Sequence, residues 1–196
     1  LSNERKAQAL QLEKAIETEL KDLNFAEVQF QIHFDKLADY TADGVDDVEF
    51  LISMNPGQSV KPLAEVASGG ELSRTMLAIK TVMADRDEIE TLIFDEIDVG
   101  ISGRTAQKVS EKMAVIGKNH QVICITHLAQ IAAQADQHYL IEKTVDGGVT
   151  RTEIRKLSEE ESIDELARIL GGAEITETVR MSAREMKSMV KSNTVK

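Results

Sequence analysis

An α/β fold with a mostly parallel sheet flanked by helices is what this sequence predicts, and three observations carry the prediction. Two short apolar runs, 91–94 and 122–125, are separated by a helical stretch of about 15 residues from Ser102, which is the rhythm of a strand–helix–strand crossover. Runs this short and this apolar suit a parallel sheet covered on both faces. Strict alternation at 27–34, and again at Val48, Phe50 and Ile52, adds half-buried strands.

The elements follow in order. Residues 1–23 read as a helix, with Ala9, Leu12, Ile16 and Leu23 at a/d-like spacing and Leu20 beside the seam. About two heptads are too few for a coiled coil on their own, so periodicity favours an amphipathic helix packed on the domain. In 27–34, Val28, Phe30, Ile32 and Phe34 share one face, which leaves His33 on the outer face as a surface histidine. A polar loop containing Gly44 is predicted next, followed by the Val48–Phe50–Ile52 strand, which Asn55-Pro56-Gly57 stops. Leu72, Met76, Ile79 and Met83 give a helix from Glu71 to Ala84, opened by Ser68-Gly69-Gly70. Farther on, 127–135 reads as a short helix and 137–142 as a strand; Asp146-Gly147-Gly148 is a hairpin turn before a returning strand over 150–156. Ser158-Glu159-Glu160-Glu161 forms a capping box for a helix ending at Gly171-Gly172, and a final helix spans 176–190.

Composition bounds the function. The chain has 196 residues, 42% hydrophobic and 29% charged, enough for one large domain or two small ones. No apolar run approaches the roughly 20 residues that span a bilayer, and the polar opening 1–14 carries no secretory signal, so a cytoplasmic protein without a membrane partner is expected. A start at Leu1 rather than Met is expected of a fragment. The single cysteine, Cys124, sits in an apolar run and reads as a buried, inert thiol. The net charge of −11 and the absence of Trp argue against a broad nucleic-acid surface. Two basic stripes at helical spacing remain, Arg104–Lys108–Lys112 and Arg180–Arg184–Lys187–Lys191, each diluted by nearby Glu111 or Glu185.

Three polar clusters carry the chemistry. Asp95 and Glu96 directly follow an apolar strand, at the edge where open α/β sheets bind ligands. One carboxylate there can hold Mg²⁺ and the other can orient and deprotonate a water; alone, such a pair is as easily a solvated strand end. The second apolar strand leads to Thr126-His127, and in a parallel sheet His127 emerges at the same edge, where an imidazole can contact a terminal phosphate. Ser68-Gly69-Gly70 before a helix offers backbone amides and close approach to an anion, although a simple N-cap by Ser68 explains it equally well. No G-x-x-x-x-G-K-[ST] loop occurs anywhere in the chain.

In order, an SGGE cluster, an apolar strand ending in Asp95-Glu96, an Asp98-Val99-Gly100 loop and a strand leading to His127 resemble the signature, Walker B, D-loop and switch-histidine elements of ABC-type ATPases. The flanking text, including 55–57, 67–74, 91–103, 121–133 and 170–172, is more similar still to the bacterial RecN family of SMC-like DNA-repair proteins, from about residue 24 onward. Ala129 stands where many relatives are expected to carry proline.

The resemblance implies the C-terminal lobe of an ABC/SMC-type head over 24–196, with 1–23 as the base of a returning coiled-coil arm. It implies ATP and Mg²⁺ as ligands of the complete head, with Asp95 positioning the metal, Glu96 as catalytic base and His127 sensing the γ-phosphate. Ser68, Gly69, Gly70 and Glu71 would contact nucleotide held by a second head, and Asp98 would lie at the interface between heads. The implied partners are the N-terminal half of the same head, a second head as homodimer, and DNA, in a cytoplasmic, nucleoid-associated protein. The isolated chain is expected to hydrolyse no ATP and to self-associate through apolar surface that the other lobe would cover. A non-catalytic SMC-type DNA clamp and a transporter-type ATPase subunit are the alternatives.

Overall fold

Helix α1 (Ser2–Asp22) opens the first of two units, Leu1–Ile125, ahead of a second unit, Thr126–Lys196. The computed structural model describes every residue except Pro56, Asp85, Asp87, Gly147, Gly148, Ala173, Val195 and Lys196. Ile16, Leu20 and Leu23 are fully buried. Asn24, in the left-handed region at φ 74°, ends the helix, its amide donating to Lys21 O at 3.3 Å; asparagine tolerates that conformation better than most residues.

Strands β1 (Gln29–Thr41) and β2 (Gly44–Ser53) pair antiparallel, with Phe30 opposite Ile52 and Phe34 opposite Val48. The ribbon runs straight through the segment expected to be a polar loop. Its end is closed by a two-residue connection: Thr41 Oγ1 donates to Gly44 O at 2.9 Å and accepts from the Asp43 amide at 3.2 Å. Residues 38–43 are all exposed, so no hydrophobic period marks them as strand. Beyond β2, the predicted turn is present: the Gln58 amide donates to Asn55 O at 3.3 Å and Gly57 sits at φ 78°, while Pro56 lies outside the described residues. Strand β3 (Lys61–Pro62) adds a short third member to the sheet.

Helix α2 (Gly69–Met83) buries Thr75, Leu77, Ala78 and Ile79. Strands β4 (Thr91–Phe94) and β5 (Gln121–Cys124) are parallel, Phe94 opposite Cys124, with α3 (Gly103–Ile116) as the crossover between them. The expected cover on both faces is not met among the described residues. Phe94 is buried, whereas Ile93 is 67% exposed and Ile123 44% exposed on the opposite face. The first basic stripe is also undone. Lys112 is buried on α3, ion-paired with Glu19 of α1 and donating to Asp22 Oδ2 at 3.1 Å, while Lys108 pairs with Glu111.

In the second unit, α4 (Ala129–Ala132) is shorter than the 127–135 expected. Strands β6 (Tyr139–Asp146) and β7 (Val149–Lys156) form a hairpin whose last pair is Asp146 with Val149; its predicted Gly147-Gly148 tip lies outside the described residues. Helix α5 (Glu159–Gly171) carries the capping box: Ser158 Oγ accepts from the Glu161 amide at 3.3 Å, and Glu161 Oε2 accepts from the Ser158 amide at 2.8 Å. Those bonds hold the Glu161 carboxyl below its ordinary pKa. Helix α6 (Glu177–Thr194) packs on α5 around Leu166, Ala167 and Ala183. Its basic stripe is likewise engaged: Arg180 pairs with Asp164, Arg184 with Glu160, and Lys187 donates to Ser162 Oγ. The Lys191 side chain is outside the described set.

Ser162 is almost fully buried and joins α5 to α6 and to His138, the residue before β6. With Lys187 donating to it, its hydroxyl is placed to donate to Nδ1 of a neutral His138 at 2.9 Å. Burial first, then the Lys187 charge, pushes the His138 pKa down, against an upward pull from Glu165.

Two stability outcomes follow from this packing. Leu20→Ala, which removes a fully buried side chain, is expected to cost about 2–5 kcal/mol in denaturant unfolding. His138 is neutral when folded and protonates more readily when unfolded. Its contribution is therefore present above the ordinary histidine pKa of about 6.5 and is lost as pH falls below it. Thermal melts from neutral to mildly acidic pH should show a steeper loss in the parent chain than in His138→Gln; equal slopes would contradict this assignment.

Candidate functional site

The sequence-predicted residues of the first unit meet where β4 ends. Asp95 and Glu96 leave the strand exposed, and Asp95 Oδ1 accepts from the Glu96 amide at 2.9 Å. Glu96 has φ 56°, a left-handed conformation that costs a non-glycine residue roughly 1–2 kcal/mol. It turns the chain sharply, so that the Val99 amide donates back to Glu96 O at 3.0 Å and the Ile101 amide to Asp98 O at 3.4 Å. Ile97 and Asp98 are thereby turned inward and buried, while Val99 and Gly100 face out.

The start of α2 lies directly against this loop. Ser68 is the N-cap, its Oγ accepting from the Glu71 amide at 3.4 Å. A Cβ on Gly69 would collide with Glu96 Oε2. At Gly70, a Cβ would come within 2.9 Å of Glu96 O and 3.1 Å of Val99 O, distances at which backbone must move. Gly70 is thus required by the packing of α2 on the Glu96–Gly100 loop, independently of any ligand, whereas at Gly69 the exposed Glu96 side chain could swing aside.

Two contacts here lie outside the motif positions. Ser73 Oγ donates to Asp95 O at 2.7 Å. Arg74, 7% exposed, donates from Nη1 to Ile97 O at 3.2 Å and to Val99 O at 2.8 Å, and its guanidinium lies over the Phe25 ring, 5.4 Å from the centroid. The only sequence signal was an arginine in a helix on the side that otherwise buries Leu77 and Ala78; its acceptors are main-chain carbonyls, which leave no trace in residue identity. A polar cleft of about 290 Å³ opens beside these groups, lined by Asn55, Ser68, Glu71, Arg74 and Gly100.

The electrostatics of the strand ends are acidic. Burial, and then the Asp98 and Asp95 carboxylates, push the Cys124 thiol up to about 12, so it stays protonated and is a poor nucleophile. Among the described residues no group of three or more His, Cys, Asp or Glu side chains forms a metal cage. A single exposed carboxylate at Asp95 nevertheless fits Mg²⁺, which takes one or two protein carboxylates and completes its shell with phosphates and water. His127 is exposed and belongs to the second unit, three residues past the end of β5; it is not among the groups that the first unit brings together.

No family model matches the chain. It is 44% identical to the DNA repair protein RecN of Halalkalibacterium halodurans over 98% of its own length and 35% of that protein. It is 42% identical to RecN of Vibrio cholerae over 95% of its length and 34% of the relative. RecN of Treponema pallidum is 44% identical over 95% of the chain and 34% of that protein. Among solved structures, the Smc head domain with coiled coil and joint from Pyrococcus yayanosii superposes with a TM-score of 0.56 at 23% identity, covering 83% of this chain and 29% of that one. The Smc head of Pyrococcus furiosus bound to the C-terminal domain of ScpA gives 0.53 at 23% identity, over 85% and 39% of the two chains. The fold is that of an SMC-type head lobe, and nearly the whole chain is similar to RecN proteins while spanning about a third of the length of the curated relatives it matches.

Proposed function

We propose that this chain is the C-terminal half of the ATP-hydrolysing head of a cytoplasmic DNA-repair protein, with α1 as the base of its returning coiled-coil arm. The observation that supports the reading most is the packing of the Ser68-Gly69-Gly70 helix start on the Asp95–Gly100 loop. It places a helix N-terminus, two exposed carboxylates and a cleft in one compact region of a RecN-type sequence. Glu96, exposed and held by a left-handed backbone, is positioned to accept a proton from an attacking water. Asp95 would hold Mg²⁺, which when bound offsets the charge of the phosphates. Ser68 and the first amides of α2 would meet the nucleotide of a second copy, with Glu71 beside them and Asp98 at the interface between heads. His127 would report the γ-phosphate.

The exposed apolar face at Ile93 and Ile123 suits the remainder of the head as its cover, the segment expected to carry the phosphate-binding loop. A clamp that grips DNA through this chain is disfavoured, because Lys112, Arg180 and Arg184 are already engaged with carboxylates.

In the complete protein, Glu96→Gln should lower ATP turnover by about a hundredfold or more while leaving nucleotide binding intact; unchanged turnover would remove Glu96 as the base. Ser68→Arg should abolish turnover while each protomer still binds ATP, and mixing it with a Glu96→Gln protein should restore part of the activity if the two sites are shared in trans. Loss of ATP binding in the Ser68 variant itself would contradict the shared site.

A further inference from the structure

Among the described residues Arg74 is the one cation buried against the candidate site, and the motif reading gives it no task. Its Nη1 spans two carbonyls of the same tight turn, Ile97 O and Val99 O. Those carbonyls flank Asp98 and follow Glu96, so one guanidinium fixes the course of the chain through both residues. The clearance is made by Gly70: a Cβ there would lie 3.2 Å from Arg74 Nη1. The other side of the guanidinium rests on Phe25, just beyond the end of α1, where the Phe25 amide donates to Leu20 O at 3.2 Å.

This arrangement is expensive unless it sets a geometry. Burial lowers the Arg74 pKa, only partly countered by Glu71. No carboxylate forms an ion pair with it among the described residues, and its Nε is buried without a hydrogen-bond partner. A buried charge is tolerated where strong hydrogen bonds satisfy it, and here those bonds are made to a turn that contains a left-handed glutamate.

We propose that Arg74 is a positioning residue: from α2 it sets the Glu96–Gly100 turn, and with it the Glu96 carboxylate and Asp98, and it registers that turn to the end of α1 through Phe25. The proposal rests on the reading of Glu96 as the base for ATP hydrolysis. A displacement of the base by about an ångström is enough to cost a hundredfold in rate. A lysine keeps the charge but not the planar fork or the stacking face, so it should restore the turn only in part.

The test compares Arg74→Met, Arg74→Lys and Glu96→Gln in the complete protein, measuring ATP turnover and, separately, ATP affinity. Arg74→Met should lower kcat by about ten- to a hundredfold with ATP affinity within about threefold of the parent, and Arg74→Lys should fall between them. A kcat within about twofold of the parent in Arg74→Met, with Glu96→Gln inactive, would overturn the positioning role and leave the ATPase reading standing. Equal loss of turnover and affinity would also overturn it, as general damage to the head. Should Arg74→Met fail to fold, Arg74→Lys decides by the same criterion: reduced kcat at unchanged affinity supports the role, unchanged kcat refutes it. Full activity in Glu96→Gln would instead defeat the underlying reading.

Discussion

The first unit depends on how α1 lies along the free edge of β1. Glu17 Oε1 accepts from the Phe30 amide at 3.0 Å, and Glu13 Oε1 from the Ile32 amide at 2.7 Å. The spacing matches because four helical residues rise about 6 Å, close to the length of two residues of strand. Two glutamates one turn apart therefore serve as a substitute strand for alternate amides of an edge that would otherwise be open. The start of β1 is held to α1 in this way, while its pairing with β2 shifts register between Lys36 and Thr41. Lys112 reaches from α3 to Glu19 and Asp22 on the same helix, so the crossover is tied to α1 as well.

The consequence reaches the site. Ending α1 at a left-handed Asn24 puts Phe25 under Arg74, and Arg74 holds the turn after β4. Rotation of α1 about its axis cannot be absorbed locally, because its glutamates hold strand amides on one side and Lys112 on another. Within the first unit, the end of α1, Phe25, Arg74 and the Glu96–Gly100 turn are thus joined by continuous packing and hydrogen bonds.

Much of this was legible in the sequence wherever a local rule was strong. The alternation of 28–34, the capping box at Ser158 and the Asp95-Glu96 strand end all rest on contacts within a few residues, and all are present. The extension of β1 and β2 was not legible, because its residues face water on both sides and leave no period to detect. The basic stripes were legible only as spacing, for the opposite reason. Helical spacing was correct, but the partners of Lys112 lie 93 and 90 residues away in sequence, so only the fold reveals that it is buried and paired. Arg74 sits inside the Ser68–Arg74 cluster with no sign of its role in the sequence, since a side chain that binds main-chain carbonyls has no partner residue to betray it. In the sequence the glycines of that cluster suit close approach to phosphate; in the structure Glu96 O and Val99 O already occupy the space where a Gly70 side chain would be.

The charge of the site decides what it can do alone. Asp95, Glu96 and Asp98 gather at one strand end, strongly enough that two of them help hold the Cys124 thiol protonated. The nearby cation, Arg74, spends its Nη1 donors on backbone and is buried beneath the turn. A triphosphate brought to such a surface meets carboxylates first, with the α2 amides as its main local attraction, and these contribute only on the scale of a helix terminus. Net attraction has to be imported, as Mg²⁺ and as donors from another segment. In the proposed head, the other lobe and a second copy would supply both. On that proposal the acidic edge would contribute the base and leave nucleotide binding to the other segments.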